Sequence, residues 1–537
     1  MSTSHNVAHF LTEQAEHNPH QKAVRAPKGR NSEGAINYID RSFAELEGEA
    51  SCIAYAYQSK GIRRGTRVLL MVEPGLDLIR TVFALFKIGA VPIVIDPGMG
   101  FFSFLKCVRN SKPKALIGIP FARIIAAIAR KTFKGVSIRL GPKASADLSQ
   151  SLSFPVVDSE RDELAAVLFT SGSTGPAKGV CYTHGMFAAQ VDAIRTNFGI
   201  QEGERDLPML PVFALFNPAL GMCTVVPEIN PSRPATVDPR KIIQAIQENK
   251  ISTSFGSPTI WALIAEHCEL NDIRLPEMKR ILLAGASVPP ILLQHMKRIF
   301  PNAKLHTPYG ATEALPMCTI EANEIISETA GLTYHGAGIC VGRPLPNVKI
   351  CIIEPTNKPI KSLSDTPLAP PDAPGEIIVQ GPTVTKEYDN NPEATARAKI
   401  QDGNTFWHRM GDLGQFDEEG RLWFCGRQAE CVQMEDRLLY TDVCEAITNQ
   451  HPKVFRSALI DRGNGTPALV IQPKIAHFPK TSEDRSNFEK ELKVLCESVS
   501  LSAPIEQFFF EKRFPVDIRH NAKINRLQLA KKWGSRK

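Results

Sequence analysis

The sequence lacks the features that mark several large classes of protein. Its twelve cysteines include no C-x-x-C pair, and no histidine stands at zinc-ligand spacing from them, which argues against a structural zinc site. Its lysines and arginines form no stripe with interleaved aromatic residues, so we expect no nucleic-acid partner despite a formal net charge of +7. The scattered cysteines are typical of reduced core residues, which favours a cytoplasmic location.

Long apolar runs are also rare. The first twenty residues have no basic stretch followed by an apolar core, so we expect no signal peptide. The longest uncharged run, Leu207 to Pro227, contains four prolines and therefore does not predict a transmembrane segment. The run is either plain core or the wall of a substrate pocket, and the sequence leaves both open.

The pattern along the chain predicts an α/β protein of more than one domain. At 537 residues the chain exceeds the size of a single hydrophobic core, and 43% of it is hydrophobic. Short β-branched runs alternate with helical patterns, as in a strand at 67–72, a helix at 77–88 and a strand at 91–95, which indicates a parallel sheet with crossover helices. Further strands are predicted at 114–119, 165–169, 251–255, 279–284, 376–380 and 421–425, with a helix at 238–249.

A domain boundary is predicted near residues 427 to 430. The residues after it have their own helix at 442–449, their own strands at 456–460 and 468–471, and a basic tail. We therefore expect a domain at 1–427 and a smaller domain at 428–537.

The stretch from Leu168 to Val180 carries the clearest chemical signal. Glycines, hydroxyl residues and a lysine follow an apolar strand, so backbone N–H groups, hydroxyls and a cation can surround a polyphosphate. It is not a Walker A loop, because Lys178 lies between Ala177 and Gly179 rather than before a serine or threonine. The phosphate-binding residues that we expect here are Thr170, Ser171, Gly172, Ser173, Thr174, Gly175 and Lys178.

This loop resembles that of the adenylate-forming superfamily of acyl-CoA synthetases, luciferases and adenylation domains. Other motifs of the superfamily follow in order over nearly the whole chain: AGA at 284–286, YGATE at 309–313, WHRMGD at 407–412, GR at 426–427 and NAK at 521–523. The resemblance implies a large N-terminal domain of sheets and helices, a smaller mobile C-terminal α/β domain, and ATP and Mg²⁺ as cofactors.

The resemblance also assigns roles to single residues. It places Gly285, Ala286, Tyr309, Gly310 and Ala311 around the adenine, and Asp412 and Arg427 at the ribose. Thr312 would bind the α-phosphate and Glu313 the Mg²⁺, which suits a carboxylate ligand. Asp412 alone would otherwise be interpreted as the cap of a turn in GDLG.

Lys523 is the expected catalytic cation. The resemblance places it between the substrate carboxylate and the α-phosphate, where an ammonium stabilises the charge that develops as two anions join. Without the other motifs, a lysine in a basic tail would be interpreted as a solvated side chain.

The stretch after Gly426-Arg427 departs from the acyl-CoA synthetases. Where those enzymes have a K-x-x-G-x-R-I loop whose glycine leaves room for pantetheine, this chain has Gln433, Asp436 and Leu438 at the Lys, Gly and Arg positions. An aspartate in place of glycine adds bulk and negative charge, so the loop is not suited to deliver CoA.

Three segments, 213–222, 336–344 and 517–524, resemble the β-lactone synthetases of bacterial long-chain olefin biosynthesis. That resemblance implies adenylation of a 2-alkyl-3-hydroxy fatty acid, followed by attack of its own 3-hydroxyl to close the ring. It also implies association with a β-lactone decarboxylase and a reductase of the same pathway. His184, just after the phosphate loop, is a candidate base for that step; alternatively it lines or orders the acyl pocket.

Two other functions remain open from the sequence. One is a long-chain fatty acyl-CoA or acyl-AMP ligase. The other is a catalytically silent adenylate-binding protein, against which the presence of Lys523, Glu313 and Asp412 argues.

Overall fold

The structure is a computed structural model that describes residues 5–150, 152–170, 176–230, 233, 236–371, 373–517 and 523–534. The strands of this part of the chain are β1 Lys22–Arg30, β2 Ile36–Ser42, β3 Arg67–Met71, β4 Val91–Val94, β5 Ala115–Gly118, β6 Ile138–Leu140, β7 Leu164–Phe169, β8 Gly179–Thr183, β9 Arg205–Asp206, β10 Cys223–Val225, β11 Thr253–Gly256, β12 Arg280–Leu283, β13 Lys304–His306, β14 Tyr309–Ala311, β15 Ala314–Thr319, β16 Ile339–Pro344, β17 Lys349–Ile353, β18 Gly375–Gln380, β19 Lys399–Asp402, β20 Thr405–Phe416, β21 Leu422–Arg427, β22 Val432–Gln433, β23 Leu438–Leu439, β24 Val454–Asp461, β25 Pro467–Pro473 and β26 Phe508–Phe510.

The α-helices of the same residues are α1 His9–His17, α2 Phe43–Ser59, α3 Leu76–Ile88, α4 Phe101–Ser111, α5 Pro120–Ile128, α6 His184–Phe198, α7 Asn217–Leu220, α8 Pro239–Asn249, α9 Pro258–Leu270, α10 Pro290–Ile299, α11 Ala322–Glu324, α12 Ala330–Leu332, α13 Pro392–Ala398, α14 Thr441–Thr448, α15 Ser482–Glu497 and α16 Arg526–Trp533. Short 3₁₀ turns lie at Pro97–Met99, Pro211–Leu215, Leu363–Asp365, Gln428–Glu430 and Ile475–His477, and π turns at Ile325–Thr329 and Thr333–Ala337. No helix in the part of the chain described here is long and apolar enough to cross a membrane.

Two largely parallel sheets hold the centre of the molecule. The first has the strand order β6-β5-β3-β4-β7-β8, and the second has the order β13-β12-β11-β9-β10-β1-β2. In the first sheet only the β7–β8 pair is antiparallel, so the phosphate loop at 170–178 is the connection of a hairpin at one sheet edge. The predicted parallel sheet with crossover helices is confirmed.

A third, antiparallel sheet carries most of the remaining site residues. Its strands follow the order β14-β15-β16-β21-β20-β18-β17, with β19 paired to β20. Strand β21 extends to Arg427, two residues beyond the predicted end, because Arg427 pairs in register with Asp412 of β20. Asp412 therefore lies inside a twelve-residue strand and not in the turn that the GDLG pattern alone suggests.

The residues after 430 build a small α/β unit. Strands β24, β25 and β26 form a three-stranded sheet, and the apolar side chains of α14 and α15 pack against it, among them Cys444, Phe488, Leu492 and Cys496. The boundary at 427 to 430 stays a prediction. All twelve cysteines are free thiols, as expected, and ten of them are buried.

Candidate active site

The phosphate loop is closed at its mouth by its first and last residues. The backbone N–H of Thr170 donates to the carbonyl of Lys178 (3.0 Å), and the N–H of Lys178 donates to the Thr170 hydroxyl (3.3 Å). The Lys178 ammonium lies 4.7 Å from the centre of the Tyr388 ring, a cation–π contact. The phosphate-loop residues Ser171, Gly172, Ser173, Thr174 and Gly175 lie outside the described residues.

The YGATE motif forms a tight hairpin between β14 and β15 beside this loop. Gly310 is required there, because a Cβ atom at this position would lie 2.5 Å from the carbonyl oxygen of Ala314. Thr312 occupies the turn, and its carbonyl accepts a hydrogen bond of 2.6 Å from the Tyr182 hydroxyl. Since Tyr182 belongs to β8, this bond ties the hairpin to the phosphate loop's own hairpin.

Tyr309 and Arg427, both partly exposed, form a polar cluster around the buried Asp412. The Tyr309 hydroxyl donates to Asp412 Oδ2 (2.5 Å), and Arg427 Nε lies 2.9 Å from Asp412 Oδ1. Burial raises the pKa of Asp412, while the charge of Arg427 acts in the opposite direction. Among the described residues Asp412 Oδ1 has no well-aligned hydrogen-bond donor, so a buried acceptor remains for a sugar hydroxyl.

Glu313 follows Thr312 in the turn of the same hairpin and is held by Tyr388. The Tyr388 hydroxyl donates to Glu313 Oε1 (2.8 Å), and the N–H of Thr385 donates to the Glu313 carbonyl (2.9 Å). No cluster of three or more His, Cys, Asp or Glu side chains suited to a metal occurs within the described ranges. A single carboxylate fits Mg²⁺, which is commonly held by one or two carboxylates together with the phosphates of the substrate.

Lys523 of the C-terminal unit is held in place by its pairing with Asp517. Its N–H donates to Asp517 Oδ1 and its carbonyl accepts from the Asp517 N–H, both at 2.9 Å, and Val516 bridges to Ile524. The Lys523 charge is one of those that oppose the burial-raised pKa of Asp412. The chain therefore places the expected catalytic cation within electrostatic reach of the expected ribose ligand.

Gly285 and Ala286 follow strand β12 in a turn at the carboxyl end of the second sheet. Gly285 has φ +99°, a conformation that favours glycine. The next residue, Ser287, donates to Asp442 Oδ1 of α14 (3.1 Å). This contact joins the turn expected at the adenine to the small C-terminal unit.

An apolar cavity lies between α6, the segment 206–222 and strand β11. Its walls include Phe213, Phe216, Leu220, Phe255 and Leu282, and the Phe213 and Phe255 rings stack at 3.7 Å. The sequence left the run 207–227 open as core or pocket wall; several of its residues line this cavity. Its volume of about 50 Å³ is well below the roughly 300 Å³ of common ligand pockets, so a long chain enters only if the aromatic walls move.

The cavity also contains two polar groups that sequence reasoning missed. Asp206 Oδ2 accepts from Asn217 Nδ2 (2.8 Å), but Asp206 Oδ1 and Gln190 Oε1 have no hydrogen-bond partner among the described residues. Burial raises the pKa of Asp206 to about 7, against the opposing hydrogen bond from Asn217. No motif points to Asp206, because only the folded chain places it next to the cavity.

His184 begins α6 and is 2% exposed. Its Nδ1 accepts a hydrogen bond from the Val7 N–H (3.1 Å), so the neutral ring carries its proton on Nε2 and has no lone pair left for a substrate proton. Burial lowers its pKa to about 4. Its ring packs edge-on against Phe86, which contacts Phe187 and through it Phe216 of the cavity wall. This geometry favours the alternative in which His184 orders the pocket.

The loop that departs from the CoA-dependent enzymes is a small hairpin, β22–β23. Asp436 lies in its turn with a side chain 60% exposed, paired to Arg437 at 2.7 Å. Gln433 donates to the carbonyls of Met434 and Arg437 and so closes the turn. The position at which the related enzymes have glycine therefore presents a solvated carboxylate.

This arrangement agrees with the nucleotide site that the motifs predict. The chain belongs to the family of AMP-binding enzymes, whose profile matches residues 11–389. The chain is 38% identical over 99% of its length to an olefin beta-lactone synthetase of Xanthomonas campestris, of which 98% is covered. It is 37% identical to the olefin beta-lactone synthetase of Stenotrophomonas maltophilia, over the same shares of both chains.

Solved structures share the fold at lower identity. An amide bond synthetase from Marinactinospora thermotolerans superposes with a TM-score of 0.79 at 21% identity, covering 98% of this chain and 99% of the other. The o-succinylbenzoate coenzyme A synthetase of Bacillus subtilis, solved in complex with AMP, gives 0.76 at 21% identity, covering 97% of both chains. The expected fold class is thereby confirmed.

Proposed function

We propose that the protein is an ATP-dependent β-lactone synthetase that acts on a 2-alkyl-3-hydroxy long-chain fatty acid. The observation that supports the adenylating half is that Tyr309, Glu313, Arg427 and the Lys523 charge all lie around the buried Asp412. The lactone-forming half is supported by the two relatives named olefin beta-lactone synthetase, which match nearly the whole chain.

In the first step the substrate carboxylate attacks the α-phosphorus of ATP and pyrophosphate leaves. Asp412 Oδ1 accepts the ribose hydroxyls, and Arg427 braces the same carboxylate. The backbone of the phosphate loop, fixed at the Thr170–Lys178 mouth, binds the polyphosphate together with the Lys178 ammonium. Thr312 contacts the α-phosphate, and Lys523 stabilises the negative charge that accumulates as the two anions approach.

Glu313 is the residue that would hold Mg²⁺, which neutralises phosphate charge when bound. Tyr388 orients Glu313 through its hydroxyl. That hydroxyl donates to Oε1, so Oε2 would be available to bind the ion.

In the second step the 3-hydroxyl oxygen bonds to the acyl carbon, the bond from that carbon to the adenylate oxygen breaks, and the hydroxyl proton is released with AMP. The nucleophile is already part of the substrate, so a high effective molarity offsets ring strain and no thiol channel is needed. The carboxylate of Asp436 at the glycine position of CoA-dependent relatives agrees with this.

Product analysis tests the proposal. The protein is incubated with Mg·ATP and a synthetic 2-alkyl-3-hydroxy fatty acid, with and without CoA, and the products are followed by NMR and mass spectrometry. We expect a product one water lighter than the acid, with ring protons of a β-lactone, whether or not CoA is present. The same acid without its 3-hydroxyl is the matched control and should stop at the acyl adenylate.

An acyl-CoA that forms only with CoA would instead establish the second candidate, a long-chain acyl-CoA ligase. Nucleotide binding without pyrophosphate release would establish a silent adenylate-binding protein.

A β-lactone is consumed by loss of carbon dioxide to give an olefin, so we further propose association with a β-lactone decarboxylase and a reductase of the same pathway. The twelve free thiols of this chain support a reducing, cytoplasmic location.

A further inference from the structure

Helices α4 and α5 form one layer whose outer surface is unusually apolar. Both follow strands of the first sheet, and their inner residues, such as Phe104, Val108 and Ala126, pack with that sheet in a single apolar cluster. Their outward side chains include large apolar groups in solvent: Phe101 (49% exposed), Phe102 (86%), Phe121 (63%), Ile124 (54%) and Ile128 (75%). In α5 these occupy positions i, i+3 and i+7, so they form one stripe along the helix.

The same segment is strongly and uniformly basic. Residues 97–146 contain ten lysines and arginines and no aspartate or glutamate, whereas the whole chain has 63 basic and 56 acidic residues. This run corrects the expectation from the sequence that the lysines and arginines do not gather in one place. All ten basic side chains belong to exposed residues: Lys106, Arg109, Lys112, Lys114, Arg123, Arg130, Lys131, Lys134, Arg139 and Lys143.

We propose that this α4–α5 face binds the surface of a membrane that contains anionic lipids. An apolar stripe with Phe and Ile lies in the boundary between headgroups and acyl chains, while surrounding lysines and arginines are attracted to anionic headgroups. A protein partner is a poorer fit, because the cores of protein interfaces are depleted of lysine and six of the ten cations here are lysines.

The α4–α5 face lies close to the phosphate loop, so a membrane bound there could supply substrate to the active site. Helices that follow parallel strands begin at the carboxyl edge of the sheet, where Thr170 also follows β7. Ala177 of the phosphate loop packs against the same apolar cluster as α4 and α5. A bilayer on this face would therefore lie near the site to which, under the proposed function, a poorly soluble acid must be delivered; the binding itself does not depend on that function.

Vesicle co-sedimentation tests the proposal with the full chain. Vesicles of phosphatidylcholine alone are compared with vesicles made of equal amounts of phosphatidylcholine and the anionic lipid phosphatidylglycerol. We expect binding to the anionic vesicles only, and weaker binding at high salt. Lys131→Ala with Lys134→Ala should weaken the partition about 30-fold, and Phe102→Ser with Ile128→Ser should weaken it at least about tenfold.

Matched controls make the same chemical changes elsewhere. Lys474→Ala with Lys480→Ala removes two exposed cations, and Leu270→Ser with Ile475→Ser removes two apolar side chains that are 79% and 100% exposed. Both controls should bind as the wild type does. The proposal is overturned by equal binding to the two kinds of vesicle, by controls that lose as much as the test variants, or by absent binding combined with a change in oligomer mass in the Phe102→Ser variant, which would assign the face to protein contacts. Melting curves establish that every variant is folded.

Discussion

Lys523 is expected to act in adenylation, the first half-reaction, and not in ring closure, the second. Replacing it with alanine should lower the rate of adenylation about 10²- to 10³-fold, because comparable electrostatic contacts to a developing charge contribute roughly 3 to 4 kcal/mol. Conversion of a preformed acyl adenylate should be nearly unchanged. Pyrophosphate release measures the first step, and lactone formation from synthetic adenylate measures the second.

The matched control for this prediction is Lys531→Ala, an exposed lysine on α16 that lies on the same C-terminal unit. It should leave both half-reactions intact. Equal loss of the two half-reactions in Lys523→Ala would contradict the assignment of Lys523 to adenylation.

Asp206 is expected to make stability depend on pH. Its folded pKa of about 7 lies above its unfolded value of about 3.9, so the folded state holds the proton more tightly. This stabilising contribution is complete below about pH 4 and is lost as pH rises through about 7. Asp206→Asn should therefore gain stability relative to the wild type as the pH is raised from 5 to 8, by up to about 2.7 kcal/mol, since about two pH units below the folded pKa are crossed.

Denaturant unfolding at several pH values between 5 and 8 checks this prediction. Asp192→Asn, an exposed aspartate on α6, is the control and should follow the wild type. A difference between Asp206→Asn and wild type that stays constant over this range would mean that Asp206 is already ionised in the folded protein.

Site residues that stand in sequence motifs can be predicted from the sequence, whereas site residues outside the motifs cannot. Tyr309, Glu313, Asp412 and Arg427 stand in contiguous motifs, and the structure brings them together as the resemblance implies. Their roles toward a nucleotide stay predictions.

Residues outside the motifs could not be predicted in this way. The role of Tyr388, which orients Glu313, depends on a contact across 75 residues of sequence. The properties of Asp206 depend on its burial in the folded chain. His184 was a candidate because it follows the phosphate loop, but the hydrogen bond that decides its tautomer comes from Val7, 177 residues away.

Among the elements, the β22–β23 hairpin is expected to decide whether a thiol can reach the acyl adenylate. Asp436→Gly with Leu438→Arg restores the residues found in CoA-dependent relatives and removes a carboxylate from the turn. If this hairpin is what excludes CoA, the double variant should form a small but measurable amount of acyl-CoA. Mass spectrometry of reactions with CoA detects it.

A control keeps the same chemistry but moves the glycine by one position. Glu435→Gly with Leu438→Arg loosens the same turn and removes one exposed carboxylate, yet leaves Asp436 in place. It should give no thioester. Absence of thioester from both variants would place the block elsewhere, in the cavity or in the path to it.

Sequence patterns predicted the elements of the parallel sheets within a few residues and predicted the antiparallel sheet less well. Strands such as β3 and β12 are short apolar runs between helices, so periodicity identifies them. Strand β20 runs through WHRMGDLG, whose two glycines and charges indicate a turn. It is a strand because it pairs with β18 on one side and β21 on the other. Such pairing is set by the whole sheet and not by local propensity.

On the scale of the whole molecule, nucleotide binding should stabilise the protein through contacts that come from both of its parts. A ligand that binds only the folded state raises its stability by about 2.7 kcal/mol at one hundred times its dissociation constant. Mg·ATP should therefore raise the midpoint of thermal unfolding. The upward shift should be smaller in Asp412→Asn, because hydrogen bonds to a charged group contribute roughly 1.5 to 3 kcal/mol, which corresponds to about 10- to 100-fold in affinity.

Asp158→Asn, which changes an exposed aspartate, is the control and should show the wild-type shift. Because the Lys523 charge acts on Asp412, Lys523→Ala should also lose part of the shift if both parts of the molecule contact the nucleotide at once. An undiminished shift in Lys523→Ala, together with a diminished one in Asp412→Asn, would mean that ATP binds to the large unit alone. The C-terminal unit would then contribute to the reaction only after ATP has bound. Lys523 would stabilise the transition state without contributing to the binding of ATP.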